Sequence, residues 1–386
     1  MRLEADWLHS AHLRDVVEAL AGEVYFVGGC VRNTLLGEPV ADTDITTPLE
    51  PQEVVRRLEA AGLKAVPTGI DHGTVTAVSG HEGFEITSFR ADVETDGRRA
   101  VVRFSTDIAE DAMRRDFTMN AIYADASGEI VDPLDGLPDL MARRVRFIGD
   151  PHDRIREDYL RIVRFFRFTA WYGVDGIEPE GLAACAGLAE GIGGLARERI
   201  GAEMKKLLAA PDPAPAVAAM AASGILFRCL PGADPALLAP LVHVEGEAGA
   251  EADWIARLAA LGGESPAEAL RLSRADARCR DGIRDLLAEP LPAAAAAQLW
   301  GARVARAAAF LRAASGDLHG LASIEAEIAR GAAAEFPLRA GDLVAAGMKP
   351  GPGVGKAMEA ARARWIASDF RLGKAALLDA ALKRAI

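Results

Sequence analysis

The chain has 386 residues, half of them hydrophobic, and carries a formal net charge of −12. That length suggests two to four domains or subdomains, and that apolar share suffices for a globular interior. The charge argues against broad nucleic-acid binding, no apolar run reaches transmembrane length, and the charged, amphipathic start MRLEADWLHSAHLRD is not a signal peptide. Cys30, Cys185, Cys229 and Cys279 lack CxxC spacing and the seven histidines form no metal pattern, so reduced thiols in a cytoplasmic protein without a zinc site are expected.

The first informative stretch is VYFVGGCVRNTLLGEPVADTDITT. Residues 24–27 are a short apolar run ending at Gly28 and Gly29, residues 31–36 read as a helix stopped by Gly37, and residues 41–46 as a second strand. Strand alternation then turns Asp42 and Asp44 to one face. Two adjacent carboxylates repel unless a cation lies between them, and oxygen pairs of this kind suit Mg²⁺. The glycines let backbone approach a phosphate, with a helix N-terminus aimed at it. A helix over 51–61 and short strands over 73–78 and 85–90 follow. Glu85 has two readings, a third catalytic carboxylate or an exposed strand glutamate.

The segment ADVETDGRRAVVRFSTDIAED reads as a flexible loop or loose hairpin. In RRDFTMNA, Arg114 and Arg115 can meet triphosphate oxygens, Asp116 can accept from ribose hydroxyls, Asn120 can orient backbone or ribose, and Phe117 and Met119 look like core. Arginines crowd residues 143–167, a basic surface for a phosphate backbone or a set of intramolecular ion pairs. Within EDYLRIVRFFRF, one helix would make Asp158 and Arg161 neighbours at i and i+3. An acceptor beside donors fits the Watson–Crick edges of cytosine and adenine and misfits uracil and guanine; a plain intrahelical salt bridge is the competing reading. Beyond residue 150 the pattern is helical throughout, broken by Pro and Gly.

GGCVRNTLLGEPVADTDI resembles the active-site motif of the polymerase-β-type nucleotidyltransferases, in the branch of the bacterial class II tRNA CCA-adding enzymes and their poly(A) polymerase relatives. The family usually has Asp where this chain has Asn33. The resemblance implies an α+β fold: a nucleotidyltransferase head with a mixed sheet over residues 1–140, then an all-helical neck (141–210), body (211–335) and tail (336–386). It implies a catalytic set of Asp42, Asp44 and Glu85, with Asp42 and Asp44 holding two Mg²⁺ ions, for which Mn²⁺ can substitute. Gly28, Gly29, Arg32, Arg114, Arg115, Asp116, Asn120, Asp158, Arg161 and Arg164 would bind nucleotide. RRDFTMNA resembles the ribose-recognition motif, and Glu157-Asp158-x-x-Arg161 the templating motif. Glu157, Arg197 and Glu198 would support it, with Glu203 on the same neck helix. Asp92, Asp96, Gly97 and Arg98 resemble the mobile loop that switches C to A addition. Asp132, Pro133 and Gly136 resemble the head–neck hinge, or form a simple β-turn. In the tail, Gly351, Gly353, Gly355 and Lys356 resemble an RNA-binding element, or form a cap with no ligand. The implied substrates are tRNA, CTP and ATP, with no membrane and no protein partner. The intact carboxylates and base-reading pair argue against a noncatalytic RNA-binding protein, and the DGR loop against CC-only addition. A poly(A) polymerase or a specialised CC- or A-adding enzyme is the alternative within the class.

Overall fold

The computed structural model describes residues 1–96, 99–319 and 321–383. The chain divides into two compact units, Met1–Pro231 and Gly232–Ile386.

Unit one begins with helix α1 (Ala11–Ala19) and strand β1 (Tyr25–Val27), then α2 (Gly29–Leu36), β2 (Asp44–Thr47), α3 (Pro51–Ala60), β3 (Lys64–Gly69), β4 (Thr74–Ser79) and β5 (Glu82–Ser88). Strands β6 (Arg90–Asp96) and β7 (Arg99–Phe104) pair antiparallel as a separate two-stranded sheet. Helix α4 (Ile108–Met113), β8 (Tyr123–Asp125) and β9 (Ile130–Val131) complete the head. The main sheet runs β3-β4-β5-β2-β1-β8-β9. It is antiparallel except at β2–β5, where Asp44 lies opposite Glu85. Helices α5 (Leu137–Met141), α6 (Pro151–Glu157), α7 (Leu160–Tyr172), α8 (Pro179–Gly187), α9 (Arg197–Leu208), α10 (Ala214–Ala222) and α11 (Ile225–Cys229) follow.

The strand patterns dictate which sides are buried. In β4 every second residue (Val75, Ala77, Ser79) is buried, the period-2 signature of a sheet covered on one face. Helix α7 buries Leu160, Ile162, Val163, Phe165, Phe166 and Phe168. Phe165 stacks on Phe147 at 5.3 Å between ring centres, and Phe117 sits 5.0 Å from both Phe147 and Phe168. The Phe117 of RRDFTMNA is therefore the apolar pin that fastens the motif to α7.

Unit two is helical throughout its described residues: α12 (Leu238–Glu247), α13 (Trp254–Leu261), α14 (Pro266–Ala269), α15 (Arg274–Ala288), α16 (Ala293–Trp300), α17 (Ala302–Ala314), α18 (Ile324–Ala333), α19 (Ala340–Ala345), α20 (Pro352–Ala367) and α21 (Lys374–Leu382). Its alanine runs are close-packing surfaces. A Cβ added at Gly331 of α18 would fall 2.0 Å from the Ala294 carbonyl oxygen of α16, so only glycine fits at that point of the crossing. A second cluster (Leu338, Leu343, Val354, Trp365, Leu377) organises the last three helices. No helix among the described residues is long and apolar enough to cross a membrane.

Candidate functional site

Strand β1 delivers the chain to Gly28, whose φ of +74° lies in the left-handed region that glycine tolerates best. Helix α2 starts one residue later, two residues before the sequence pattern suggested, so Gly29 opens it. Its first N–H groups have no partner inside the helix. A Cβ built on Gly28 would sit 3.8 Å from Asp44 Oδ2 and 3.9 Å from Arg115 Nη1. Phosphate-type backbone, carboxylate and guanidinium thus converge on one point.

Asp44 is the first residue of β2 and is exposed, whereas Ile45, Thr46 and Thr47 behind it are buried. Asp42 is exposed and precedes the strand, so strand alternation is not what relates the two, contrary to the sequence expectation. Glu85 is exposed on β5 in register with Asp44. Among the described residues, no hydrogen bond or ion pair engages the side chains of Asp42, Asp44 or Glu85, and no three His, Cys, Asp or Glu residues form a ready metal cluster. Burial raises the pKa of the Asp44 carboxyl, Arg115 opposes that shift and Asp42 adds to it. Carboxylate oxygens left unpaired and mutually repelling are a donor set for a hard divalent cation.

The remaining acidic groups of this region are all taken. Asp111, fully buried, accepts from Arg114 Nε at 2.8 Å, from Arg115 Nη2 at 2.9 Å and from the Tyr123 hydroxyl at 2.9 Å. Asp116 accepts from Arg164 Nε at 2.8 Å, from Asn120 Nδ2 at 2.9 Å and from the Phe117 N–H at 2.9 Å. Burial would raise the Asp116 pKa, but Arg164 and these donors bring it below the usual carboxylate range. Asn120 passes the contact on, accepting from Arg32 Nη1 at 2.5 Å. Arg32 is buried; it also donates to Asn33 Oδ1 at 2.9 Å and to the Tyr172 hydroxyl at 2.7 Å, and its guanidinium lies 4.2 Å from the Tyr172 ring centre. Asn33 is therefore one of three acceptors, with Asn120 and Tyr172, that orient Arg32. Burial lowers the Arg32 pKa.

Asp158 and Arg161 do not lie in one helix, although the Arg161 N–H donates to the Asp158 carbonyl at 3.0 Å. Helix α6 ends at Glu157, Asp158 is extended (φ −154°, ψ 105°), and α7 starts at Leu160. The Asp158 carboxylate accepts from Arg199 Nη2 at 2.7 Å and Nη1 at 3.2 Å, and from the Leu160 N–H at 3.1 Å. Arg161 pairs with Glu157 and donates to the carbonyls of Arg154 (2.7 Å) and Arg114 (3.2 Å). The salt bridge of the competing reading is absent from the described contacts, because Asp158 is extended in the two-residue break between α6 and α7 and its carboxylate turns to Arg199. Glu157 also pairs with Arg154, and Arg154 Nη2 reaches the Arg115 carbonyl at 2.6 Å. The segment from Arg154 to Arg161 is thus fastened to the back of the double-arginine turn. A cavity of about 410 Å³ opens beside it, lined by Ala91, Met113, Arg114, Arg154 and Glu157 among others.

Arg199 is a contact that sequence reading overlooked. The signal was present: Arg199 and Glu203 lie four apart on one face of α9. Glu203 receives Arg167 Nε at 2.5 Å and Arg164 Nη1 at 3.5 Å. Arg197 instead donates to the Arg228 carbonyl at 3.3 Å, and Glu198 is exposed on α9. The arginine-rich stretch is largely an ion-pair lattice: Arg143 pairs with Glu38, Arg144 and Arg146 with buried Asp139, and Arg156 with Asp153. Asp132 accepts from the Gly136 and Leu137 N–H groups at 2.8 Å, a turn that sets α5.

Asp92 and Asp96 lie in β6; Gly97 and Arg98 fall outside the described residues. In the tail, Gly351 precedes α20 with φ +155°, and Gly353, Gly355 and Lys356 are exposed on its first turns. Cys30, Cys185 and Cys229 are buried free thiols, Cys30 pushed up to about 11 by burial.

Residues 24–146 match the family "Poly A polymerase head domain" and residues 176–237 match "Probable RNA and SrmB-binding site of polymerase A". The chain is 40% identical over 232 residues to a CCA-adding enzyme of Leuconostoc citreum, covering 60% of this chain and 56% of that one. It is 43% identical over 192 residues to the human mitochondrial CCA tRNA nucleotidyltransferase 1, covering 48% of this chain and 44% of that one. It spans about half the length of the curated relatives it matches. The crystal structure of the Bacillus stearothermophilus CCA-adding enzyme in complex with CTP superposes with a TM-score of 0.75 at 26% identity, covering 97% of both chains.

Proposed function

We propose, from the match of residues 24–146 to the poly A polymerase head-domain family, that the chain is a tRNA nucleotidyltransferase that adds or repairs the 3′-terminal CCA from CTP and ATP without a nucleic-acid template. The observation that carries this reading is the meeting of Gly28, Asp44 and Arg115 at one point, with Glu85 in register beside Asp44. The relatives' printed names and a solved neighbour complexed with tRNA support it. In this reading residues 1–140 are the catalytic head, 141–210 the neck with the templating segment, 211–335 the body and 336–386 a tRNA-binding tail.

Asp42 and Asp44 would hold two Mg²⁺ ions, replaceable by Mn²⁺, with Glu85 as the third carboxylate. The ions would supply Lewis-acid activation of the RNA 3′-hydroxyl and charge relief at the pyrophosphate. The protein's own groups do the rest. Gly28 and the start of α2 offer backbone to the triphosphate. Arg115, with Nη1 beside Asp44, meets the charge that develops as the α–β phosphate bond breaks. Asp158 accepts from the amino group of cytosine or adenine, and Arg161 donates to the ring nitrogen next to it. Uracil and guanine would set carbonyl oxygen against carboxylate and N–H against guanidinium, at about 1–3 kcal/mol for each unsatisfied contact. Because Arg199 and Glu157 hold the two side chains by separate anchors, reading is done by pre-set groups. The segment that carries Asp92, Asp96, Gly97 and Arg98 is proposed to switch from C to A addition.

The test is primer extension. tRNAs ending before, within and one nucleotide short of CCA are incubated with labelled CTP or ATP, and product length is read. Growth to CCA and no further supports the proposal; a long A tract would mark a poly(A) polymerase, and a stop at CC or an A-only product a specialised enzyme.

A further inference from the structure

Asp111 belongs to none of the motifs that suggested the function, yet it is the hub of the double-arginine turn. It lies in the last turn of α4 with no exposure, and its carboxylate takes Arg114 on Oδ1, and Arg115 and Tyr123 on Oδ2. The Tyr123 hydroxyl is shared: it donates to Asp111 and accepts from Arg115 Nε at 3.0 Å, and the guanidinium carbon stands 5.3 Å from the Tyr123 ring centre. Nε and Nη2 of Arg115 are thereby committed, which leaves Nη1, the atom beside Asp44 and Gly28. One carboxylate against two guanidiniums leaves one positive charge uncompensated within this cluster, on the side where the unpaired carboxylates stand. Burial alone would lower the Arg115 pKa, but Tyr123 and Asp111 outweigh it and hold the group above its ordinary value, so it stays charged.

We propose that Asp111 and Tyr123 are positioning residues that aim Arg115 Nη1 at the triphosphate, setting affinity for the phosphates and not for the base. The inference rests on the nucleotidyltransferase reading. Hydrogen bonds to a charged group account for the expected size.

The test measures binding of Mg²⁺–CTP and of CMP to the full chain without tRNA, alongside CTP incorporation into tRNA lacking CCA. Tyr123→Phe keeps the ring in the core and removes the hydroxyl; affinity for CTP should fall about tenfold and that for CMP stay within about twofold. Asp111→Asn should lower CTP affinity about a hundredfold with the same CMP behaviour. Unchanged CTP affinity in folded Tyr123→Phe overturns the proposal, as does an equal fall for CTP and CMP, which would mark a purely structural role. Should Asp111→Asn not fold, Tyr123→Phe alone decides. Failure of the underlying reading looks different: the wild type would extend no tRNA, and this inference would fall with it.

Discussion

Two sets of carboxylates lie within one unit and behave in opposite ways. Along β2 and β5, Asp42, Asp44 and Glu85 are exposed and carry no described ion pair. Across α4 to α9, Asp111, Asp116, Asp139, Glu157, Asp158 and Glu203 are each bound to at least one arginine. Folding favours pairing of partly buried carboxylates, since an uncompensated one is costly. The exposed acids, with an arginine near but not on Asp44, are the set proposed above to hold the divalent ions. The paired set serves differently, fixing the orientation of the arginines.

The sharpest way to break this contrast is to remove one acid from each set. Asp44→Ala or Asp42→Ala should reduce both C and A addition by at least about a thousandfold, since metal-assisted charge stabilisation is worth several kcal/mol. Binding of tRNA, measured by filter retention, should stay nearly intact, because phosphate contacts elsewhere dominate affinity. Near-normal turnover in either variant would take that residue out of the catalytic role.

Asp116→Ala should do the reverse to the fold. It leaves Arg164 with only its 3.5 Å ion pair to Glu203 and removes the acceptor of Asn120, so unfolding free energy should fall by about 3 kcal/mol, read as a shift of the urea midpoint. A midpoint equal to wild type would mean that the paired set is ornamental and the contrast false.

Much of this division was legible beforehand, and the rest was hidden for physical reasons. The Gly-Gly turn, the Asp-x-Asp pair and the helical remainder could be read because each depends on local chemistry. The sheet order and the β2–β5 register that sets Glu85 beside Asp44 depend on long-range pairing, which one sequence does not display. The sequence pattern places Asp158 on a helix because periodicity runs on through the two-residue break between α6 and α7. Arg199 was passed over although its spacing to Glu203 was visible, since nothing local ties either residue to a strand or motif 36–41 positions away.

Base selection probes the boundary between the two sets, since Asp158 is paired and yet proposed to face substrate. Asp158→Ala should lower correct incorporation by an amount equivalent to about 1–3 kcal/mol and narrow the discrimination against UTP and GTP. All four nucleotides are compared in single-turnover incorporation. Unchanged C/U and A/G preference in the folded variant would place Asp158 wholly with the structural acids, as a latch for Arg199.

The smallest effect concerns stability without substrate. Because the Asp44 pKa is raised in the folded protein, the folded state holds its proton to higher pH than the unfolded chain does. Stability contributed by this group is then present below the ordinary carboxylate pKa and is lost as pH rises through the raised one. At neutral pH and without divalent ions, the ionised Asp44 beside Asp42 is a mild liability. Asp44→Asn keeps the shape and removes the charge, so it should stabilise the ion-free protein, by no more than about 0.5 kcal/mol for so exposed a position. The gain should vanish below about pH 4, where the unfolded carboxylate is protonated too. Adding Mg²⁺ should raise the melting temperature of the wild type and leave Asp44→Asn nearly unmoved. A variant less stable than wild type at pH 7, with an unaltered response to Mg²⁺, would show that Asp44 already has a partner in the fold and belongs with the paired acids.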